Sequence, residues 1–214
     1  MFIFEDHILK IISIAPNSFA SNCYALISGG EAVIVDPSAS SAAMIDLAEK
    51  ENVKIKAILL THGHFDHIVS LDKLRDDVGA PVMIHKEDDE MLGDGNKNAF
   101  YSFFGRDRKY RPADILLENG AEITVGDEVI RVIHTPGHSK GSVCYLCGDI
   151  MITGDTIFAN SIGRYDLWGG DYADLLRSLE TLRKYDPKIT IYPGHGQSTR
   201  LGYALDNAAY LTRN

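Results

Sequence analysis

The sequence predicts an α/β layered sandwich, and three observations carry that reading. Short apolar runs rich in Val, Ile and Leu recur along the chain, most of them bounded by Gly, Pro, Asn or Asp. Helix-like stretches interrupt these runs without alternating regularly with them, so a layered arrangement fits better than a regular βαβ array. No internal repeat, low-complexity tract or Pro/Ser-rich linker divides the 214 residues, so 1–214 is expected to form one domain.

In chain order, the strand-like runs are 24–27, 32–35, 55–60, 82–84, 128–133, 143–146, 150–153 and 189–192. The first helix is expected over 40–51, which opens with serines and places Ala43, Leu47 and Ala48 on one face. The second is expected over 172–185, with Leu175, Leu176, Leu179 and Leu182 at helical spacing before Asp186-Pro187 stops it. One stretch, 92–112, breaks the rhythm. It carries Phe100, Tyr101, Phe103 and Phe104, then Arg106, Arg108, Lys109 and Arg111.

Composition narrows the function classes. The chain is 45% apolar and 24% charged, with 21 Lys+Arg against 30 Asp+Glu and a net charge of −9. An acidic chain lacks the basic footprint that a phosphate backbone needs, so nucleic acid is not an expected partner. No apolar run approaches the roughly 20 residues of a membrane span. The N-terminus carries Glu5 and Asp6 where a signal peptide carries basic residues, which reads as a cytoplasmic protein. Cys23, Cys144 and Cys147 are too few for a disulfide framework. Cys144 and Cys147 form a CxxC inside a strand-like run with no second pair, and read as small buried residues.

The informative segment is Thr-His-Gly-His-Phe-Asp-His at 61–67. An apolar strand ends there and four potential ligands follow: His62, His64, Asp66 and His67. Residues two apart in an extended segment point the same way, so His62 and His64 can converge on one cation past the strand end. If the chain then turns into a helix, Asp66 and His67 are redirected to a neighbouring point, giving two adjacent metal positions. Imidazole with carboxylate suits zinc, iron or manganese, and the lack of a cysteine argues against a closed structural zinc site. Further ligands must come from elsewhere. His138 in Pro-Gly-His, Asp155 in Gly-Asp-Thr and His195 in Pro-Gly-His-Gly each follow a strand-like run beside a glycine. His7, His85 and His134 read as surface or satisfied histidines. Asp36 reads as ordering a strand-end turn, with a bond to the metal ligands as the alternative.

These motifs, in this order, resemble the metallo-β-lactamase superfamily, specifically its glyoxalase II-like (hydroxyacylglutathione hydrolase-like) branch of short hydrolases. The resemblance implies an αββα sandwich. It implies that His62, His64 and His138 hold one divalent ion, that Asp66, His67 and His195 hold a second, and that Asp155 bridges them. Such a pair lowers the pKa of a shared water and supplies hydroxide near neutrality, with Asp66 placed to orient it. A thioester suits this chemistry because a thiolate, from a thiol of pKa near 8.5, departs without protonation. An amide needs a general acid that the motifs do not supply.

The substrate expectation is therefore a small acyl thioester, neutral or anionic. Gly163-Arg164 matches the family's glycine-plus-basic pair, making Arg164 a candidate anion contact, with pairing to a nearby carboxylate as its alternative. Asp166 and Gly196-Gln197 stand where glutathione-binding members carry tyrosines, so the resemblance does not extend to glutathione as the thiol. The 92–112 stretch is expected either to wall the metal edge, with one or more of Phe100, Tyr101, Phe103 and Phe104 on the acyl chain and Arg106 or Arg108 on a carboxylate, or to pack away from it or at a subunit contact. The same resemblance leaves open a mononuclear iron persulfide dioxygenase, and a lactonase or phosphodiesterase.

Overall fold

The computed structural model describes residues 9–14 and 20–211; His7 lies outside them. In chain order the strands are β1 (Lys10–Ile14), β2 (Cys23–Ser28), β3 (Glu31–Val35), β4 (Lys54–Leu59), β5 (Val82–His85), β6 (Ile115–Leu117), β7 (Glu122–Val125), β8 (Glu128–His134), β9 (Val143–Cys147), β10 (Ile150–Gly154), β11 (Thr190–Pro193) and β12 (Thr199–Arg200). The helices are α1 (Ser41–Lys50), α2 (Leu71–Val78), α3 (Asp89–Leu92), α4 (Phe100–Phe104), α5 (Tyr172–Leu182) and α6 (Leu201–Leu211). The strands form two sheets of six, ordered β1-β2-β3-β4-β5-β6 and β12-β11-β10-β9-β8-β7. Strands β3 to β6 run parallel, as do β10 and β11, while β1-β2-β3 and β7 to β10 are antiparallel.

Strand periodicity explains the layering. On β2, Ala25 and Ile27 pack on one side with Met44 and Ala48 of α1 and Leu71 and Leu74 of α2. The alternate residues Tyr24 and Leu26 face the second sheet, meeting Val132, Tyr145 and Ile152. All of β2 is buried, as expected of a strand covered on both faces. The far side of the second sheet packs Cys144, Met151 and Ile191 against Leu179 and Leu182 of α5 and Leu201 and Leu205 of α6. The result is helix, sheet, sheet, helix. Cys144 and Cys147 point to opposite faces of β9 and are both buried, so the CxxC spacing forms no pair. Among the described residues no helix is long and apolar enough to cross a membrane.

Each of the eight strand-like runs is a strand with shifted ends. Ser40 caps α1 by accepting the Ala43 amide, and Asp171 caps α5 by accepting that of Asp174. Short partners escaped the sequence reading. Strand β12 has two residues, β6 has three, β1 is an edge strand paired with β2 alone, and β7 is a four-residue arm folded back on β8 through Gly126-Asp127. Helix α2 carried a signal that went unread: Leu71 and Leu74 lie one turn apart, and Gly79, in the left-handed region at φ 65°, ends it.

Candidate metal centre

The seven predicted ligands all follow strand ends, and they come from both sheets. His62, His64, Asp66 and His67 follow β4 of the first sheet; His138, Asp155 and His195 follow β8, β10 and β11 of the second. No helix redirects Asp66 and His67, contrary to the expected helical turn. Successive turns do so instead, with the His67 amide donating to the His64 carbonyl (3.1 Å) and Ile68 to Phe65 (3.2 Å), before α2 begins at Leu71.

Ligand-capable atoms of His62, His64 and His138 gather within 4.8 Å of one another, as do those of His62, His67 and Asp155, and those of Asp66, His67 and His195. Asp155 spans the groups: one carboxylate oxygen is 3.3 Å from His67 Nε2, and the other is 3.7 Å from His138 Nε2 and 3.6 Å from His195 Nε2. Asp66 Oδ2 lies 3.2 Å from His195 Nε2.

The far sides of the rings fix which nitrogen faces inward. A carboxylate can only accept, so His67 Nδ1 donates to Asp36 Oδ2 (2.8 Å) and presents a bare Nε2 to the cluster. His138 Nδ1 donates to the Arg164 carbonyl (2.7 Å). Thr61 Oγ1 spends its proton on Asp36 Oδ2 (2.7 Å) and accepts from His62 Nδ1 (3.1 Å). Two lone pairs, on His62 Nε2 and His138 Nε2, then face each other at 3.1 Å, with His64 Nδ1 2.9 Å from the latter. His67 Nε2 and Asp155 Oδ1 are buried with no hydrogen-bond partner. Converging lone pairs and orphaned buried acceptors are what a cation satisfies, so the donor set fits divalent metal.

The electrostatics agree. Burial, with His67, His138 and His64 nearby, holds His62 well below the ordinary imidazole range, and burial with His138 pushes His64 down to about 3. Burial also works against a charged His67, but the Asp155, Asp36 and Asp66 carboxylates outweigh it and hold that imidazole well above the usual value, so a proton and a metal ion compete for its Nε2. Burial would raise Asp66 and Asp155, yet His67 and the other imidazoles keep both below the ordinary carboxylate range. The pocket thus favours positive charge at its centre.

Asp36 takes both roles weighed for it. Its Oδ1 accepts the Thr61 amide (2.8 Å), ordering the turn, while Oδ2 holds His67. Its φ of 52° is left-handed, a conformation Asp tolerates, and it is kept by these bonds. Sequence reasoning missed Asp88, hidden in the acidic run 87–90. It accepts from Ser139 Oγ (2.6 Å), the Gly141 amide (2.6 Å) and the Gly63 amide (3.3 Å), joining the loop of His62 and His64 to that of His138. Asn22 was missed too: its Nδ2 donates to the Pro193 and Gly196 carbonyls (2.9 and 3.0 Å), holding the turn that carries His195. No local pattern marks either residue. The two Pro-Gly-His glycines serve different contacts: a Cβ at Gly137 would overlap the backbone of Leu175 in α5, and one at Gly194 would overlap Asp155 Oδ1 and the His67 ring.

A cavity of about 890 Å³ opens on the cluster. Phe103, Phe104 and Ala99 line it from the 92–112 stretch, which is hooked to the metal motif by the Phe65 amide donating to the Asn98 carbonyl (3.0 Å). Arg106 and Arg108 are corrections. The Arg106 guanidinium lies over the Phe100 ring at 5.8 Å, and Arg108 donates to the Val69 carbonyl (2.8 Å), so neither reaches the cavity. Arg164 does line it, yet its guanidinium is bound to both oxygens of Asp166 (2.7 and 2.9 Å). His134 and His85 stack on each other, centroids 4.0 Å apart, away from the cluster.

Known proteins are similar to this chain in sequence and fold. The family model described as the metallo-beta-lactamase superfamily matches residues 17–195. The chain is 36% identical to the probable metallo-hydrolase YqgX of Bacillus subtilis, over 89% of this chain and 92% of that protein. Among solved structures, the BLEG-1 B3 metallo-beta-lactamase superposes with a TM-score of 0.88 at 37% identity, covering 95% of this chain and all of that one. TTHA1623, solved in a di-iron-bound form, gives 0.82 at 31%, covering 93% and 99%. Fold, motif order and these likenesses agree: the chain belongs to the metallo-beta-lactamase superfamily.

Proposed function

We propose that this metal-dependent hydrolase of the metallo-beta-lactamase superfamily cleaves small acyl thioesters with two divalent ions. His62, His64 and His138 hold one ion; Asp66, His67 and His195 hold the other; Asp155 lies between them. When bound, such a pair lowers the pKa of a shared water toward neutrality and polarises a carbonyl oxygen. The di-iron form of TTHA1623 supports two ions, and a relative 28% identical, named a probable polyketide biosynthesis zinc-dependent hydrolase, BaeB of Bacillus velezensis, supports zinc.

Asp66 faces the cavity, and a carboxylate kept ionised there accepts a hydrogen bond from the attacking water and orients its lone pair. A C–O bond forms from water, the C–S bond breaks, and sulfur leaves with the electron pair as thiolate, giving a carboxylic acid and a thiol. The observation that carries the thioester is the lining itself. Outside the seven clustered residues its one titratable side chain is Arg164, so the lining offers no acid apart from the clustered residues for a departing amine, whereas a thiolate leaves without one.

The likeness to BLEG-1 favours a second reading, β-lactam hydrolysis. Protein purified without added metal, analysed for bound elements and assayed on acyl thioesters, a β-lactam, a phosphodiester and a persulfide with oxygen, separates the readings. Thioester hydrolysis with two ions per chain is expected, and Asp66→Ala is expected to lower kcat by at least about 100-fold. β-Lactam turnover with inert thioesters, or oxygen consumption with one iron, overturns the proposal.

A further inference from the structure

The cavity wall is more apolar than a small hydroxylated acyl group requires. Phe65 sits inside the ligand motif, between His64 and Asp66, and its ring meets Phe100, Phe103 and Phe104 at 5.3 to 5.6 Å between centroids. Phe103 and Phe104 are 57% and 51% exposed, and both line the cavity. Adjacent exposed phenylalanines on one helical turn leave much apolar surface in water, an arrangement that marks a binding surface. Phe158 and Leu167 line the cavity as well, with the Phe158 ring 6.2 Å from that of His195. Aromatic side chains thus stand next to donor residues of both sheets.

The cations around the cavity are occupied. Arg164 is bound by Asp166 and Arg106 lies on Phe100. Lys97 and Lys140 sit over the Trp168 ring, 4.8 and 4.9 Å from its centroid, and Lys97 also pairs with Glu90. An anionic group on the acyl arm would meet phenylalanine where it needs a cation.

We propose that Phe65, Phe103, Phe104, Phe158 and Leu167 form an acyl-binding surface that selects an uncharged, apolar acyl chain over a short or hydroxylated one. The proposal rests on the thioester reading for its substrate but not for its surface. About 890 Å³ lies within the range of pockets that enclose small-molecule ligands and leaves room for a chain of several carbons.

The test is a series of S-acyl N-acetylcysteamine thioesters, from acetyl to octanoyl with lactoyl included, together with calorimetric binding of acetate and hexanoate. Each methylene up to hexanoyl is expected to raise kcat/KM about threefold, and hexanoate to bind at least about tenfold more tightly than acetate. In Phe103→Ala/Phe104→Ala both trends flatten while the bound metal per chain stays the same. These rings are exposed, so the variant retains the core; Leu167→Ala provides a second probe. Thioester turnover with no dependence on chain length, or with lactoyl preferred to hexanoyl, overturns the surface and leaves the thioester reading standing. Inert thioesters with the hexanoate preference intact overturn the reading and keep the surface. Equal binding of the two acids with inert thioesters overturns both.

Discussion

His62, His64 and His138 are between 1% and 3% exposed, and partners on the far side of the ring fix the inward nitrogens of His62 and His138; the His195 side chain, 44% exposed, stands on a turn beside Gly196. The donor cluster has a core-like part, to which the fully buried His67 also belongs, and a rim formed by Asp66 and His195. The difference teaches where rigidity and access are divided. The buried trio is held by the surrounding core, whereas Asp66 and His195 border the cavity, the side from which an ion or a substrate would have to approach.

The sharpest way to break this comparison is to remove one donor from each part. His62→Ala is expected to abolish tight binding of both ions, because His62 belongs to two of the three donor groups, and to lower kcat/KM more than 100-fold, by analogy with ligand and base removals generally. His195→Ala is expected to leave the buried trio loaded with about one ion per chain and to cost less. Elemental analysis of both variants checks the contrast; equal loss in both removes it.

Next in size is Asp36→Asn. An amide cannot accept from Thr61 and His67 with both oxygens, so the inward lone pair of His67 loses its orientation. Metal affinity or turnover is expected to fall about 10- to 100-fold, the usual range for a partner behind a ligand. A competition titration against a chelator reads it, and an unchanged affinity would show that the ring is held by packing alone.

A stability measurement sharpens the core-like part. Burial pushes Asp88 up to about 6, against the bonds from Ser139, Gly141 and Gly63. Its folded pKa thus lies above its ordinary value near 3.8, so its protonated form favours folding: that contribution is full below about pH 4 and is lost as pH rises through about 6. Urea midpoints for the parent and Asp88→Ala are expected to show the parent losing ground to the variant between pH 4 and 7, by at most about 3 kcal/mol. A difference independent of pH would mean that Asp88 stays ionised.

Local sequence displayed the clustered side chains well and their supports poorly. His62, His64, Asp66 and His67 lie within six residues, and His138, Asp155 and His195 each stand beside a glycine at a strand exit, so both spacing and turn chemistry are written in the chain. Asp88 acts across 51 to 53 residues on Ser139 and Gly141, and Asn22 across 171 on Pro193; contacts of that separation leave no periodicity. The 92–112 stretch shows the same division. Its aromatic composition was compatible with a wall or with packing away from the metal edge, and Phe103 and Phe104 line the cavity. The direction taken by Arg106 depends on stacking over Phe100, which composition does not encode.

Four of the clustered side chains hang from the first sheet and three from the second, so an ion held among them would be shared by two layers that otherwise meet through side-chain packing. Metal bound in this way acts as a rivet. A species that grips the native form and not the unfolded chain adds about 4 kcal/mol when its free concentration is a thousand times its dissociation constant. For this architecture that increment falls on the seam between the sheets, the surface that must open for the sandwich to come apart. Chelation would therefore loosen the whole body of the protein rather than one corner of it, and heat resistance would track metal supply.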